Sequence, residues 1–314
     1  MMRNFYEDEE LGIIVIKKIN KKRLFILILT LLLLIFLLST FIYVFHINKR
    51  MIDLEKEQQL LLGDNNISEQ DNEEIIEEEQ TEQQVPETKI EIRLPEFTDK
   101  GRENIKNIYI SNEKTAYLTF DDGPSSNITP QILSTLDQYN IKATFFLLGQ
   151  NVERYPELVK EEYEKGHYVA NHGYTHIYEK IYSSPQVVLD EYMQTEQAIR
   201  NALDIQEYSS HLFRFPGGSA GTKYKNIKSQ AKTLLADNNI AYMDWNALTN
   251  DSVGKPTEES IIKNLVDTVG NKNSVVILMH DAATKQLTAD TLPQAIEYLQ
   301  EQGYSFKNFY DVMK

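Results

Sequence analysis

Apolar runs and amphipathic stretches alternate along the chain from residue 90 to its end. The short apolar runs predict strands, and the amphipathic stretches between them predict helices. The predicted strands are residues 116–120, 143–148, 168–171, 212–215, 240–244, 274–279 and, on a weaker pattern, 305–309. The predicted helices are residues 127–139, 156–165, 184–203, 223–238, 257–269 and 288–302. This alternation implies an α/β fold with a parallel sheet, either closed as a barrel or open.

A continuous apolar segment, residues 24–47, lies near the N-terminus. It is long enough to cross a hydrocarbon core of about 30 Å. The apolar core of a signal peptide would span only about 7–15 residues and precede a small-residue cleavage site. We therefore predict an uncleaved transmembrane helix rather than a signal peptide or a buried core helix. More Lys and Arg residues precede this segment than follow it, which predicts that residues 1–23 form a cytoplasmic tail and that the rest of the chain lies outside the cell membrane.

Residues 48–95 are rich in Glu, Gln, Asp and Asn and poor in aromatic residues. Such a segment buries too little apolar surface to offset its ordering entropy. We therefore predict an extracytoplasmic acidic stalk, extended by its own charge repulsion. Residues 96–314 are then predicted to form the folded domain of a single-pass membrane protein.

The composition excludes several classes of function. The 314 residues contain no cysteine, which excludes disulfides, thiol catalysis and cysteine-ligated metal. The formal net charge of -15 argues against a nucleic-acid partner, because a polyanion would be repelled. No feature of the sequence indicates an obligate protein partner.

Two adjacent carboxylates, Asp121 and Asp122, follow the predicted strand 116–120 and precede a Gly-Pro turn. Alternation along a strand would send these neighbours to opposite faces, so the turn is needed to bring both into one site. Adjacent acids at a strand end suit a division of labour in which one binds a metal and the other moves a proton. Ordinary Asp-Asp-Gly turn chemistry is the alternative.

Two histidines, His172 and His176, follow the predicted strand 168–171 and are four positions apart. In a tight turn after a strand, both can converge on one ion. Imidazole is a common zinc ligand, and two histidines with one carboxylate leave a position open for water. The alternative is a pair of surface histidines without a shared ligand.

Three further predicted strands end in candidate functional residues. Arg214 precedes a Pro-Gly-Gly turn, and a partly buried arginine needs an anionic partner, for which Asp121 is the natural candidate. A surface position on an edge strand is the alternative. Asp244 stands beside Trp245, the only tryptophan, which is either a pocket wall or a core residue. His280 is either a candidate general acid or a core residue.

All these polar clusters stand at the C-terminal ends of predicted strands. In a barrel of alternating strands and helices, those ends converge on one face, where active sites lie. We therefore predict that the clusters form a single active site.

The order and spacing of the clusters resemble the motifs of the polysaccharide deacetylases with a NodB-homology domain, carbohydrate esterase family 4, over residues 114–314. Residues 119–123 resemble the first motif and residues 172–176 the second; residues 214–217, 244–245 and 278–280 resemble the third, fourth and fifth. The resemblance implies a distorted (β/α) barrel with fewer than eight complete units. It also implies removal of an N-acetyl group from a sugar by a divalent metal enzyme, with zinc favoured over cobalt, manganese or another ion.

The resemblance also implies roles for individual residues. The metal would be held by Asp122, His172 and His176, and the general base would be Asp121, oriented by Arg214. Asp244 would tune the general acid His280, Trp245 and Leu278 would line the acetyl pocket, and the backbone N–H of Gly217 would help form the oxyanion hole.

Two glycines depart from the motifs of the family. Gly173 stands where the second motif usually has serine or threonine, whose hydroxyl is expected to brace the turn between the metal ligands. We therefore expect a looser turn and a lower metal affinity. Gly217 stands where an aromatic residue is common in the third motif, so we expect a more open cleft.

A membrane anchor with an outward stalk would bring the active site within reach of the cell wall. We therefore expect a Gram-positive-type envelope and a polysaccharide substrate, with peptidoglycan N-acetylglucosamine favoured. N-acetylmuramic acid, chitin-like oligomers, poly-N-acetylglucosamine and O-acetyl xylan stay open as substrates. The alternative functions are an O-acetyl esterase on a glycan and an inactive, membrane-tethered glycan-binding module.

Overall fold

The computed structural model describes residues 4–8, 13–17 and 92–314. The first two segments are strands β1 (Asn4–Asp8) and β2 (Ile13–Lys17), which pair antiparallel. This hairpin lies in the predicted cytoplasmic tail, where no secondary structure was predicted. The predicted transmembrane segment 24–47 and residues 48–91 of the predicted stalk lie outside the described residues. Within the described residues, no helix is both long and apolar enough to cross a membrane.

Residues 92–314 contain a sheet surrounded by helices. Its strands are β3 (Thr115–Asp121), β4 (Thr144–Leu147), β5 (Tyr168–Asn171), β6 (Leu212–Phe213), β7 (Ala241–Tyr242), β8 (Ala247–Leu248), β9 (Ser274–His280) and β10 (Ser305–Phe306). The helices are α1 (Asp99–Asn107), α2 (Thr129–Gln138), α3 (Gly149–Arg154), α4 (Pro156–Glu164), α5 (Tyr178–Ile181), α6 (Pro185–Leu203), α7 (Lys225–Asp237), α8 (Glu258–Val269) and α9 (Gln286–Glu301). Short 3₁₀ helices span Ile108–Ile110 and Phe309–Asp311.

Every pairing in this sheet is parallel, in the strand order β7-β6-β5-β4-β3-β9-β8, with β10 beside the start of β3. Parallel neighbours need a crossover connection, and helices supply most of these crossovers. Because all strands run the same way, their C-terminal ends lie at one end of the sheet. The predicted α/β fold with a parallel sheet is confirmed.

The sheet curls until its two ends approach each other. β7 and β8 stand at opposite ends of the strand order, yet only residues 243–246 connect them along the chain. A connection of this length spans at most about 18 Å. The sheet therefore closes on itself except at a seam between β7 and β8, which do not pair. This is the distorted (β/α) barrel that the family resemblance implied.

Alternation along β3 decides which side chains enter the barrel. Tyr117 packs in a cluster with Phe146, Tyr168 and other residues contributed by several strands, which marks the barrel interior. Its neighbours Leu118 and Phe120 pack in the other large cluster, with residues of the surrounding helices. Because residues two apart face the same way, Asp121 at the end of β3 faces the interior with Tyr117.

α1 packs so closely against the C-terminal segment that there is no room for a side chain at Gly101. A Cβ on Gly101 would lie 2.0 Å from the backbone carbonyl oxygen of Met313. Thr98, the N-cap of this helix, also donates its backbone N–H to that carbonyl at 3.2 Å. The N-terminal helix is therefore fixed directly to the end of the chain.

We predict that Gly101→Ala lowers the free energy of unfolding by about 1–3 kcal/mol, because a methyl group would have to displace backbone. This loss runs against helix propensity, in which alanine is favoured over glycine. Chemical denaturation measures the effect, with Lys100→Ala, an exposed position of the same helix, as the control. Equal stability of the two variants would contradict the close approach.

Candidate active site

Asp121 and Arg214 form a buried ion pair inside the barrel. The Arg214 Nη1 atom lies 2.7 Å from Asp121 Oδ1, and the relative exposure of the two side chains is 0% and 3%. Burial raises the pKa of Asp121, and the adjacent guanidinium opposes that rise. Arg214 also lies over the ring of Phe146, 3.9 Å from its centre. The structure thus brings together the predicted base and the arginine predicted to orient it.

Asp122 turns toward the histidines because its backbone leaves the strand conformation. Its φ of 74° lies in the left-handed region, where a non-glycine residue is uncommon. Gly123 follows, and a Cβ there would lie 2.1 Å from Asp281 Oδ2, so only glycine fits. The turn thereby brings Asp122 into the same site as Asp121, as the sequence predicted.

Asp122, His172 and His176 form a compact group of possible metal ligands. Asp122 Oδ1 lies 3.6 Å from His172 Nε2 and 3.4 Å from His176 Nε2. Within the described part of the chain, Asp122 Oδ1 is buried and has no hydrogen-bond partner. The candidate ligand atoms all lie within 4.8 Å of one another. An orphaned carboxylate oxygen facing two imidazoles fits a divalent cation such as zinc.

The backbone of Arg214 sets the tautomer of His172. Its carbonyl oxygen lies 2.8 Å from His172 Nδ1. Because a carbonyl only accepts, Nδ1 carries the proton and Nε2 keeps the lone pair that a metal needs. Burial lowers the pKa of His172 to about 3, so the imidazole is neutral near pH 7.

Glu191, from α6, braces the turn between the two histidines. Its buried carboxylate accepts hydrogen bonds from the backbone N–H of Tyr174 at 3.0 Å and of Thr175 at 2.9 Å, and from the Thr175 hydroxyl at 2.6 Å. Gly173 itself has a φ of 83°, which suits glycine. The bracing expected from a hydroxyl at this position therefore comes from another element, while the expected lower metal affinity stays a prediction.

His280 is paired with Asp251, which the sequence reasoning missed. His280 Nδ1 lies 2.8 Å from Asp251 Oδ1, and the His280 backbone N–H donates to Asp251 Oδ2 at 2.9 Å. Burial lowers the pKa of His280, but the hydrogen bond and charge of Asp251 outweigh it and leave that pKa raised. Asp121 and His280 occupy paired positions on β3 and β9, so both side chains enter the barrel.

The prediction that Asp244 tunes His280 is wrong in geometry. The Asp244 carboxylate instead accepts the backbone N–H of Ser219 at 2.8 Å and the Ser219 hydroxyl at 2.5 Å. It therefore holds the loop that contains Gly217. Asp251 was missed because it follows β8, a strand too short to show alternation; the signal was an aspartate just after the apolar pair Ala247–Leu248.

The Gly217 backbone and two apolar side chains line the same end of the barrel. The Gly217 N–H donates to no acceptor among the described residues, which suits the predicted oxyanion role. Leu278 lies on β9 two positions before His280, so both face the interior. The Trp245 ring is half-buried, and its centre lies 5.7 Å from the Arg214 guanidinium carbon.

Tyr178 occupies the space beside Gly217. The Tyr178 ring centre lies 5.3 Å from that of His176. A Cβ on Gly217 would lie 2.6 Å from the Tyr178 hydroxyl oxygen. The expectation of a more open cleft at Gly217 does not hold here, because an aromatic ring from α5 fills the space.

Comparisons with known proteins agree with the fold. Residues 109–235 match the family model for polysaccharide deacetylase. The chain is 35% identical over 205 residues to a peptidoglycan-N-acetylglucosamine deacetylase of Bacillus cereus, an alignment that covers 63% of this chain and 70% of that protein.

Solved structures give the same result. A Streptococcus mutans CE4 esterase matches with a TM-score of 0.60 and 30% identity, covering 68% of this chain and 92% of that one. The catalytic domain of a peptidoglycan N-acetylglucosamine deacetylase from Eubacterium rectale matches with a TM-score of 0.57 and 34% identity, covering 63% and 89%. The chain therefore belongs to the polysaccharide deacetylase family, carbohydrate esterase family 4, as its motifs predicted. Its enzyme class is polysaccharide N-deacetylase.

We predict that Glu191→Ala weakens metal binding about 10- to 100-fold, because the turn that orients His176 would lose its acceptor. Equilibrium dialysis with zinc measures the affinity directly. Asp190→Ala, an exposed neighbour on the same helix, is the matched control and should bind zinc like the unaltered chain. Unchanged zinc affinity in Glu191→Ala would show that the turn keeps its conformation without the Glu191 carboxylate.

We predict that Asp251→Asn moves the alkaline limb of the kcat/KM profile to lower pH by about one unit. A group with a raised pKa keeps its proton to higher pH, so removing the charge that raises it makes His280 lose its proton earlier. The profile is measured from acetate release. Asp244→Asn is the control, since Asp244 contacts Ser219 instead, and a shift in that variant alone would restore the original assignment.

Proposed function

We propose that this chain is a metal-dependent hydrolase that removes N-acetyl groups from N-acetylglucosamine units of cell-wall peptidoglycan. One observation carries the proposal: a buried carboxylate and an imidazole stand at paired positions of neighbouring strands, beside the three possible metal ligands. Amide hydrolysis needs a proton acceptor, a proton donor and stabilisation of the developing oxyanion. Asp121 and His280 are suited to the first two tasks.

A divalent cation held by Asp122, His172 and His176 would polarise the acetamide carbonyl and lower the pKa of a nearby water. Imidazole and carboxylate ligands favour zinc, with cobalt and manganese as alternatives. Metal dependence and metal identity are parts of this proposal.

The remaining steps belong to side chains and backbone of this chain. Asp121 accepts the proton of the attacking water, while Arg214 keeps that carboxylate in place. His280 donates a proton to the departing amine nitrogen, and Asp251 keeps the imidazole charged for this step. The Gly217 N–H donates to the carbonyl oxygen as it gains negative charge. Acetate and a glucosamine unit result.

The proposed substrate and the proposed location are supported by different observations. The Bacillus cereus and Eubacterium rectale relatives are named as peptidoglycan N-acetylglucosamine deacetylases. Residues 24–47 have the length and apolarity of a membrane anchor. An anchored, outward-facing enzyme of a Gram-positive-type envelope would meet peptidoglycan directly.

The two alternative functions fit the site less well. An O-acetyl esterase releases an alcohol, which depends less on a proton donor than an amine does, and the raised pKa of His280 favours the amine. An inactive glycan-binding module would have no need of a complete set of base, acid and metal ligands, and this set is present.

We predict that Asp121→Asn lowers kcat by at least about 10³-fold but retains bound zinc, because Asp121 moves a proton and binds no metal. His176→Ala should lose both activity and zinc. Acetate release and metal content by atomic spectroscopy separate the two roles. Near-native turnover in Asp121→Asn would make the assignment of the base wrong.

The proposed function is tested with the full-length chain loaded with zinc. Acetate release is measured from purified peptidoglycan, N-acetylglucosamine oligomers and O-acetyl xylan. We expect release from the N-acetylated glycans, abolished by a chelator and restored by zinc. Release from O-acetyl xylan alone would favour the esterase, and no release despite bound zinc would favour the binding module.

A further inference from the structure

A cleft with a volume of about 490 Å³ lies between α1 and the segment that carries α7 and β7. One wall carries Arg102 and Lys106, and the opposite wall carries Lys232. None of the possible metal ligands lines it. We call this feature the basic cleft and define it by these three cations and the aromatic residues Phe97, Tyr109 and Tyr242.

The charge of the basic cleft is opposite to that of the chain. The chain has a formal net charge of -15, yet Asp244 is the one acidic residue in the lining. The Asp244 carboxylate is already engaged by Ser219. Among the described residues, no carboxylate lies within ion-pair distance of Lys106 or Lys232. Arg102 is partly compensated by Asp99, whose Oδ1 lies 3.6 Å from Arg102 Nε.

Aromatic rings lie against two of the cations and add apolar surface to the cleft. The Arg102 guanidinium lies 4.4 Å from the centre of the Phe97 ring, and Lys232 Nζ lies 4.5 Å from the centre of the Tyr242 ring. Tyr242 is exposed. An exposed ring offers an apolar face to a sugar, while the cations offer donors to a carboxylate. The lining therefore suits a carbohydrate that bears an acidic group.

One end of the basic cleft adjoins the active site. Ser219 and Asp244 line that end, and they belong to the loop and strand end that also carry Gly217 and Trp245. The carbonyl oxygen of Met243, another lining residue, accepts a hydrogen bond from Arg214 Nε at 3.0 Å. The basic cleft therefore reaches the loop and the strand end that also carry Gly217 and Trp245, two of the candidate active-site residues.

We propose that the basic cleft binds carboxylates of the peptide in peptidoglycan. This peptide is carried by the sugar next to the N-acetylglucosamine that is deacetylated. This inference rests on the proposed function for the choice of glycan. Lys106 and Lys232 supply the charge, and Tyr242 supplies a surface for the sugar ring. The cleft would then let the enzyme prefer peptidoglycan over an uncharged N-acetylglucosamine polymer.

Calorimetry with the full-length chain tests the proposal. The ligands are a disaccharide-peptide fragment of peptidoglycan and the uncharged N-acetylglucosamine tetramer. The test variant is Lys106→Ala with Lys232→Ala. The matched control is Lys100→Ala with Lys225→Ala, which removes two exposed lysines from the same two helices, outside the cleft lining.

We expect the test variant to weaken binding of the disaccharide-peptide about three- to tenfold and to leave the tetramer unchanged. Added salt should weaken binding of the disaccharide-peptide to the unaltered chain more than binding to the test variant. Equal weakening of both ligands, equal effects of test and control variants, or no binding of the disaccharide-peptide to the unaltered chain would overturn the proposal.

Acetate release from both ligands is measured in parallel and separates the two conclusions. Selective weakening of disaccharide-peptide binding without any acetate release supports the basic cleft and contradicts the proposed function. Acetate release with no selective change in binding supports the proposed function and contradicts the role of the cleft.

Discussion

The buried guanidinium of Arg214 is the interaction on which the rest of the site depends. It donates to the carboxylate of Asp121, to the hydroxyl of Thr119 and to the backbone carbonyls of Met243 and Asp244. An uncompensated charge inside the barrel would be costly, and removing one partner of such a pair typically costs about 3–5 kcal/mol. The two carbonyls belong to the segment that connects β7 and β8. The guanidinium therefore also holds this segment in place at the seam of the barrel.

This ion pair also separates the roles of two adjacent aspartates. Asp121 keeps the direction of β3 and meets Arg214, whereas Asp122 takes a left-handed conformation and faces the histidines. The carbonyl of Arg214 accepts the Nδ1 proton of His172, which leaves Nε2 free for a metal. A single residue therefore orients the base with its side chain and a metal ligand with its backbone, which couples the two halves of the chemistry.

The sequence predicted the residues at the ends of the long buried strands but missed Asp251, which follows a strand of only two residues. Strands β3 and β9 each contain seven buried or nearly buried residues. The apolar pattern alone therefore predicted that these strands end next to Asp121 and His280. β8 contributes only Ala247–Leu248, which is too short for periodicity, so the pattern does not mark Asp251 as a residue that follows a strand. The assignment of Asp244 to His280 came from the resemblance of residues 244–245 to the fourth motif of the family. Which carboxylate reaches an imidazole depends on how the sheet curls, and no local pattern encodes that.

The two glycines show why a departure from a motif cannot be judged at its own position. At Gly173 the bracing comes from Glu191 on a helix that follows in the chain, and at Gly217 the aromatic surface comes from Tyr178. Glycine is also what these turns require, since both positions have positive φ and a Cβ would meet a neighbouring side chain within 3 Å. At Gly217 the ring that replaces the missing side chain occupies its space, whereas at Gly173 the nearest atom is Cδ1 of Ile181, at 2.9 Å, and Glu191 Oε2 lies 3.5 Å away. Restoring an aromatic residue at Gly217 would therefore require Tyr178 to move, whereas a side chain at Gly173 would be opposed by the positive φ and by Ile181 rather than by Glu191.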